Sequence, residues 1–232
     1  MLRRLYPRNL PASAIVGTLG IMFVLKALSG GLALYIHPRY TTLVLICGLL
    51  LVVAGLLLLA LPPLPLSGPM LVLPAIVLVL ALLVPARPLG ANLVPNKGLA
   101  PGGSNALIAR WQAERPSDTR VWTLLEWTAA IRQQGAASLV GKPVSLKGFI
   151  YRDETLGPDE VYVARYVVTC CTADGTALSL RVKAPGAASF STDQWVQVDG
   201  VFALVEIDGQ QIPRVDGTLT PIETPRSPYL YP

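Results

Sequence analysis

An apolar helical anchor followed by an all-β domain is the fold class that this 232-residue sequence predicts. Three observations predict it. Residues 1–90 hold Arg3, Arg4, Arg8, Lys26, Arg39 and Arg87 and no carboxylate, and the first acidic residue is Glu114. Three apolar stretches, Ala12–Ile36, Thr41–Leu61 and Met70–Val84, fill that basic segment. From Lys142 onward the hydrophobic period falls to two, the pattern of strands with one buried face. The whole chain is +5 and its first 90 residues are +6. The other 142 residues hold 13 basic and 14 acidic groups, net −1. The basic character belongs to the anchor, and a water-facing part of about 140 residues is long enough to bury its own core.

Crossing about 30 Å of hydrocarbon takes roughly 20 helical residues. Ala12–Ile36 and Thr41–Leu61 have that length. Met70–Val84 is shorter and contains Pro74, so it spans only with help from Leu64–Pro69 and Ala86–Leu89, or else is re-entrant. The expectation is three transmembrane helices, with two as the alternative. The first run is too long for a cleavable signal and a second follows almost at once, so it reads as a retained helix. Lys26 lies near the middle of that run, where a lysine either snorkels or faces a partner helix or headgroup. Gly30 and Gly31 are small enough to let a partner helix approach closely. Cys47 reads as packing. Tyr35-Ile36-His37-Pro38-Arg39-Tyr40 is a hinge with interfacial tyrosines. Pro62-Pro63-Leu64-Pro65 ends the second helix, and Pro85 and Pro88 end the third, because proline lacks the amide donor.

Arg3, Arg4 and Arg8 on one side balance Arg39, Arg87 and Lys97 on the other. The compact N-terminal cluster and the uncharged Pro62–Pro69 loop favour a cytoplasmic N-terminus. Three spans then place the C-terminal domain outside the cytoplasm, and two leave it inside.

Residues 1–90 are thus the anchor and 91–116 a linker, with Ala91–Ser104 rich in Gly, Pro and Asn. Residues 117–135 form a helix with an apolar series through Trp122, Leu125, Ala129, Ala130 and Ile131, an N-cap at Ser117 or Asp118 and a stop at Gly135. Residues 136–232 form the β domain. Its strand candidates are Pro143–Arg152, Glu160–Cys171, Ala177–Ala184, Trp195–Ile207 and Gln211–Glu223. Val144 and Leu146, then Phe149 and Tyr151, change phase across Gly148 and suggest a bulge there. Five short strands with interior glycines fit a small OB-like five-stranded β barrel. The tail Pro225–Pro232 should lie extended across the surface.

Cys170-Cys171-Thr172-Ala173-Asp174 is the sharpest chemical feature, and three readings compete for it. Two thiols and a carboxylate suit a soft or borderline metal, but neighbours on a strand point to opposite faces. No CxxC and no histidine cluster supports a structural zinc site. A redox pair is the second reading, and Arg165 and Arg181 are candidates to lower a thiol pKa. Structural packing is the third, with one cysteine facing the core. Arg165, between Val163 and Val167, is either solvated, paired or a binding residue. Asp153/Glu154 and Asp159/Glu160 flank a turn and read as solvated charge. There is no GxSxG, Walker loop, HExxH or GxGxxG. A net −1 soluble part lacks the concentrated positive charge that phosphate binding needs, so no nucleic-acid partner is expected.

The run Ala164-Arg165-Tyr166-Val167-Val168-Thr169-Cys170-Cys171-Thr172-Ala173-Asp174 resembles a signature of the bacterial DUF1980 / YcgQ-like membrane proteins. Ser29-Gly30 followed by Tyr35–Tyr40, then Val84–Leu89, Gly148–Arg152, Trp195–Gly200 and the ending Pro225–Pro232 resemble the same family in order. The resemblance implies a protein of the bacterial cytoplasmic membrane with N-terminal membrane helices and a C-terminal β domain, often encoded with a predicted permease of the UPF0718 type, and for some members a suggested link to metal homeostasis. It implies no catalytic activity. Its signature residues are Arg165, Cys170, Cys171 and Asp174.

The expected function is a non-enzymatic accessory subunit of a membrane complex, with a permease and the lipid bilayer as partners. Arg165, Cys170, Cys171 and Asp174 are the candidate contacts for substrate or a divalent metal, and Lys26, Gly30 and Gly31 the candidate contacts for the membrane partner. The alternatives are a thiol-based metal-binding or redox protein, and a structural subunit of a respiratory or photosynthetic complex.

Overall fold

The computed structural model describes residues 9–62, 68–97, 99–100 and 115–232. The basic cluster at Arg3, Arg4 and Arg8, residues 63–67 and most of the expected linker lie outside the described residues. The chain divides into two compact units at Arg87 and Pro88.

The first unit is helical. Helix α1 (Leu10–Leu28) has 19 residues and α2 (Thr41–Leu58) has 18. At 1.5 Å per residue α1 is about 28 Å long, close to the thickness of a bilayer core. Two helices, Leu10–Leu28 and Pro38–Leu58, are long and apolar enough to cross a membrane. Only 11% of the second window is buried, unlike the core helix of a soluble protein. Helix α3 (Gly68–Leu83) is shorter, carries Pro74 inside it, and exposes Leu73, Ile76, Val77 and Leu80.

Helix α1 stops sooner than its apolar run suggests. Gly30 adopts φ +76°, a left-handed conformation that ends the helix at almost no steric cost. A 3-10 turn at Gly31–Leu34 follows. A second, Pro38–Tyr40, is started by His37, whose side chain accepts from Arg39 N at 3.1 Å. Helices α1 and α2 then pack through small residues. A Cβ on Gly20 would lie 2.7 Å from both Gly48 O and Val52 N, and one on Gly55 would lie 2.9 Å from Gly17 N. The close approach lets Ser13 Oγ donate to Gly55 O at 2.6 Å, and Asn9 Nδ2 donates to Leu58 O and Leu61 O at 2.9 and 3.0 Å.

The second unit is a sheet with one buried helix. Its five main strands are β2 (Pro143–Tyr151), β3 (Glu160–Val167), β4 (Thr176–Lys183), β5 (Trp195–Ile207) and β6 (Gln210–Pro221). A two-residue strand, β1 (Leu99–Ala100), pairs in parallel with β4. The order is β1-β4-β3-β2-β5-β6, and β4 pairs again, in parallel, with β6 over Arg181–Lys183 and Arg214–Asp216. The hairpin β5–β6 turns at Asp208 and Gly209, both with positive φ. Helix α4 (Leu124–Gln134) begins at Thr123 rather than at Ser117 or Asp118. Thr123 and Glu126 form a capping box. Asp118 instead caps a 3-10 turn at Thr119–Val121. Gly135 ends α4 with φ +79°.

Two cores result, one on each face of the sheet. Trp127, Leu139, Val144, Leu146, Ile150, Val196 and Phe202 belong to the first, together with inward residues of β3 and β4. The second holds Phe149, Ala164, Tyr166 and Trp195, covered by Ala91 and Val94 from the start of the unit and by Tyr229 from the tail. That second core removes the expected bulge. The pairs from Pro143↔Val201 to Phe149↔Trp195 advance one for one through Gly148. Phe149 and Ile150 are both buried because both faces are covered. Gly148 is needed for another reason, since a Cβ there would lie 2.8 Å from a Val163 methyl. The tail crosses the outer face of the sheet and is pinned there near its end. Leu230 N donates to Tyr166 O at 2.8 Å, Val168 N donates to Leu230 O at 3.0 Å, and Tyr229 and Leu230 are buried.

Candidate functional site

Strand β3 ends at Val167, so the two signature cysteines stand beyond it. Cys170 is exposed and Cys171 half-buried, in the turn that leads through a 3-10 segment, Thr172–Asp174, into β4. Neither thiol enters a core, which corrects the packing expectation. The opposite-face objection also falls away, because it applied to a continuing strand. The two Sγ atoms are 3.6 Å apart and both thiols are free.

Asp174 organises this turn. Its Oδ1 accepts from Thr169 N at 3.1 Å and its Oδ2 from Cys170 N at 2.8 Å. Burial alone would raise its pKa. The Cys170 thiol and the amides of Cys170, Thr169 and Cys171 outweigh this and hold the carboxyl below its usual range. The same contact acts on the thiol in the opposite sense. The hydrogen bond to Asp174, then the one to Cys171, pushes Cys170 up to about 11. A thiol so placed is protonated at neutral pH and is a poor nucleophile. Asp174→Asn is therefore expected to bring Cys170 back towards its ordinary value of 9.0. At pH 8 its alkylation by iodoacetamide, followed by peptide mass spectrometry, should speed up by about tenfold or more. An unchanged rate would show that Asp174 does not control the thiol.

Arg165 does something else. Its Nε donates to Pro228 O at 3.0 Å and its Nη2 to Ser227 O at 2.6 Å, while its guanidinium lies 5.7 Å from the Trp195 ring centroid. Burial lowers its pKa from the usual arginine value. The signature arginine thus holds the tail, and the signature cysteines and aspartate form the turn that follows the same strand.

The anchor candidates also move. Lys26 lies in the last turn of α1, not mid-span, with Nζ 5.3 Å from the Tyr35 ring centroid. A cation there complements the helix C-terminus. Gly30 and Gly31 lie past the end of α1, and the close helix contact belongs to Gly20, Gly48 and Gly55 instead. Their small-residue spacing was the signal available in the sequence. Cys47 is exposed on α2, not packed. Glu160, read as solvated loop charge, is paired with Arg181 at 2.5 Å and Arg214 at 3.6 Å. Among the described residues, no group of three or more His, Cys, Asp or Glu is placed to hold a metal ion.

Two apolar helices long enough to cross a membrane and a mostly antiparallel β domain with an exposed cysteine turn define the class: N-terminal apolar helices followed by a C-terminal sheet domain. Residues 123–232 match the family model "DUF1980 C-terminal domain". The chain belongs to the DUF1980 family. No curated protein and no solved structure matches it.

Proposed function

We propose that the chain is a non-enzymatic accessory subunit of a bacterial membrane complex, with a permease as partner. The observation that carries this reading is the Cys170–Cys171 turn, held at the domain surface by Asp174 and free of both cores. An exposed turn held by these hydrogen bonds is suited to contact, and the raised Cys170 pKa disfavours thiol redox chemistry. The exposed apolar residues of α1, α2 and α3 support a multi-pass anchor. The domain reads as an OB-like barrel, because the parallel β4–β6 pairing closes β2 to β6 into a ring in which each strand pairs on both sides. Its exocytoplasmic side follows only from three spans.

Metal contact is the second reading, favoured by thiols 3.6 Å apart beside a carboxylate. No complete ligand set is present among the described residues, so this reading takes the form of a site shared with the partner. Native purification in mild detergent, with mass spectrometry of associated proteins and metal analysis of the same sample, tests both. A stoichiometric permease supports the accessory role, and metal that departs with the partner supports a shared site. Recovery of the chain alone and metal-free contradicts both. Electron-transfer or pigment proteins instead would move the assignment to a bioenergetic complex.

A further inference from the structure

Two strands of the β domain part company and leave a basic hollow between them. Strand β2 pairs with β5 from Pro143 onward, but with β3 only from Phe149, opposite Ala164. The first half of β2 therefore has no β3 beside it, and Arg165 is the residue at which β3 has left. A cavity of about 340 Å³ opens there, next to the 3-10 turn Thr119–Val121. Arg120, Lys147 and Arg165 line it, one from each of these three elements, and among the described residues no carboxylate does. The net −1 of the C-terminal 142 residues hides this local excess.

The three cations are available to a ligand. Lys147 is exposed and makes no hydrogen bond or ion pair among the described residues. Arg165 is half-buried, and its Nε and Nη2 bond to tail carbonyls, which satisfy donors but bring no counter-charge. Its Nη1 has no partner among the described residues and is not sealed from solvent. Arg120 meets Asp118 only at 3.9 Å, with both side chains more than half exposed, a pair of little strength. Acids on neighbouring residues are engaged elsewhere. Glu126 Oε2 accepts from Thr123 N at 2.7 Å, and Asp199 Oδ1 accepts from Ser145 Oγ at 2.7 Å. A partly buried guanidinium without a carboxylate is costly, and an anion in the hollow offsets that cost. We propose that this hollow binds a phosphate group, free or carried on a lipid headgroup. Arg165 Nη1, Lys147 Nζ and the Arg120 guanidinium would each give it a charge-assisted bond. A tetrahedral dianion presents oxygens to three cations at once, whereas a carboxylate has two oxygens in one plane. The site is independent of the accessory reading.

Isothermal titration of inorganic phosphate into the full chain in a maltoside detergent, at pH 8 and fixed ionic strength, reads the affinity, with acetate as the competing anion. Phosphate should bind at least about tenfold more tightly than acetate. Lys147→Gln removes an exposed side chain that holds nothing in the fold, and should weaken phosphate by about tenfold while circular dichroism stays native. Lys183→Gln makes the same charge change on an exposed lysine of β4 outside the hollow, and should leave the affinity within about twofold. Dihexanoyl phosphatidic acid distinguishes the two sources. Binding at least about tenfold tighter than phosphate, and weakened by Lys147→Gln, assigns the group to a lipid, and equal affinities assign it to free phosphate. No saturable phosphate heat, acetate binding as tightly, or Lys147→Gln behaving like Lys183→Gln would overturn the proposal.

Discussion

Replacing Trp127 by alanine should destabilise the C-terminal domain by about 3–5 kcal/mol, the usual cost of deleting a large buried aromatic. Trp127 is fully buried on α4. Its ring stacks on Phe202 at 5.1 Å with 4° between planes, and Trp122 meets it edge-on at 5.0 Å. It is the contact through which α4 closes the core against β5. Alanine leaves a cavity whose walls come from several strands and cannot collapse together. Urea unfolding of the full chain, followed by the remaining tryptophans, measures the effect. A loss below about 1 kcal/mol would mean that α4 is not part of the cooperative core. Trp127→Phe should cost much less, because Trp127 Nε1 has no hydrogen-bond partner among the described residues and phenylalanine removes that buried donor.

Gly20→Leu is expected to have the second large effect, this time on the helical unit. A Cβ at Gly20 would sit 2.7 Å from two backbone atoms of α2, and backbone cannot move aside as a side-chain end can. The helices must part, and the Ser13 Oγ to Gly55 O bond of 2.6 Å breaks with them. Close packing and such bonds carry helix association wherever the surroundings are apolar. Overpacking of this kind costs about 1–3 kcal/mol. Thermal aggregation of the full chain in detergent should shift several degrees lower. Gly17→Ala is the matched control, since a Cβ there meets nothing within 4 Å. Equal behaviour of the two variants would contradict the packing described.

The strands were legible because alternation survives wherever one face meets the first core, as with Val144 and Leu146 or Val196 and Val198. Legibility failed where a distant segment intervened. Phe149 and Tyr151, out of phase with Val144 and Leu146, look like a bulge in one dimension, but the tail and the residues around Ala91 bury the outer face as well. Arg165 finds its partners at Ser227 and Pro228, more than 60 residues away, and no local pattern signals that. The apolar pair Val167-Val168 extended β3 on paper to Cys171. In the fold Asp174 takes the amides of Thr169 and Cys170 and turns the chain out of the sheet. Lys26 looked central in an apolar run because Gly30, which cuts that run, is itself apolar. For the site, the sequence identified Cys170, Cys171 and Asp174 as a group, but not that they share one turn outside the core. Glu160 and Arg181 were missed as a pair because their partnership is across strands.

The central claim is that the exposed cysteine turn contacts a membrane partner. Its most direct test compares wild type with Cys170→Ser/Cys171→Ser, purified in parallel from native membranes in mild detergent, with the partner quantified by mass spectrometry. The account predicts a folded variant, with unchanged circular dichroism, that retains at most about a tenth of the permease recovered with wild type, an effect of the size expected when a buried interface contact is lost. Full recovery of the partner with the folded double variant would contradict it.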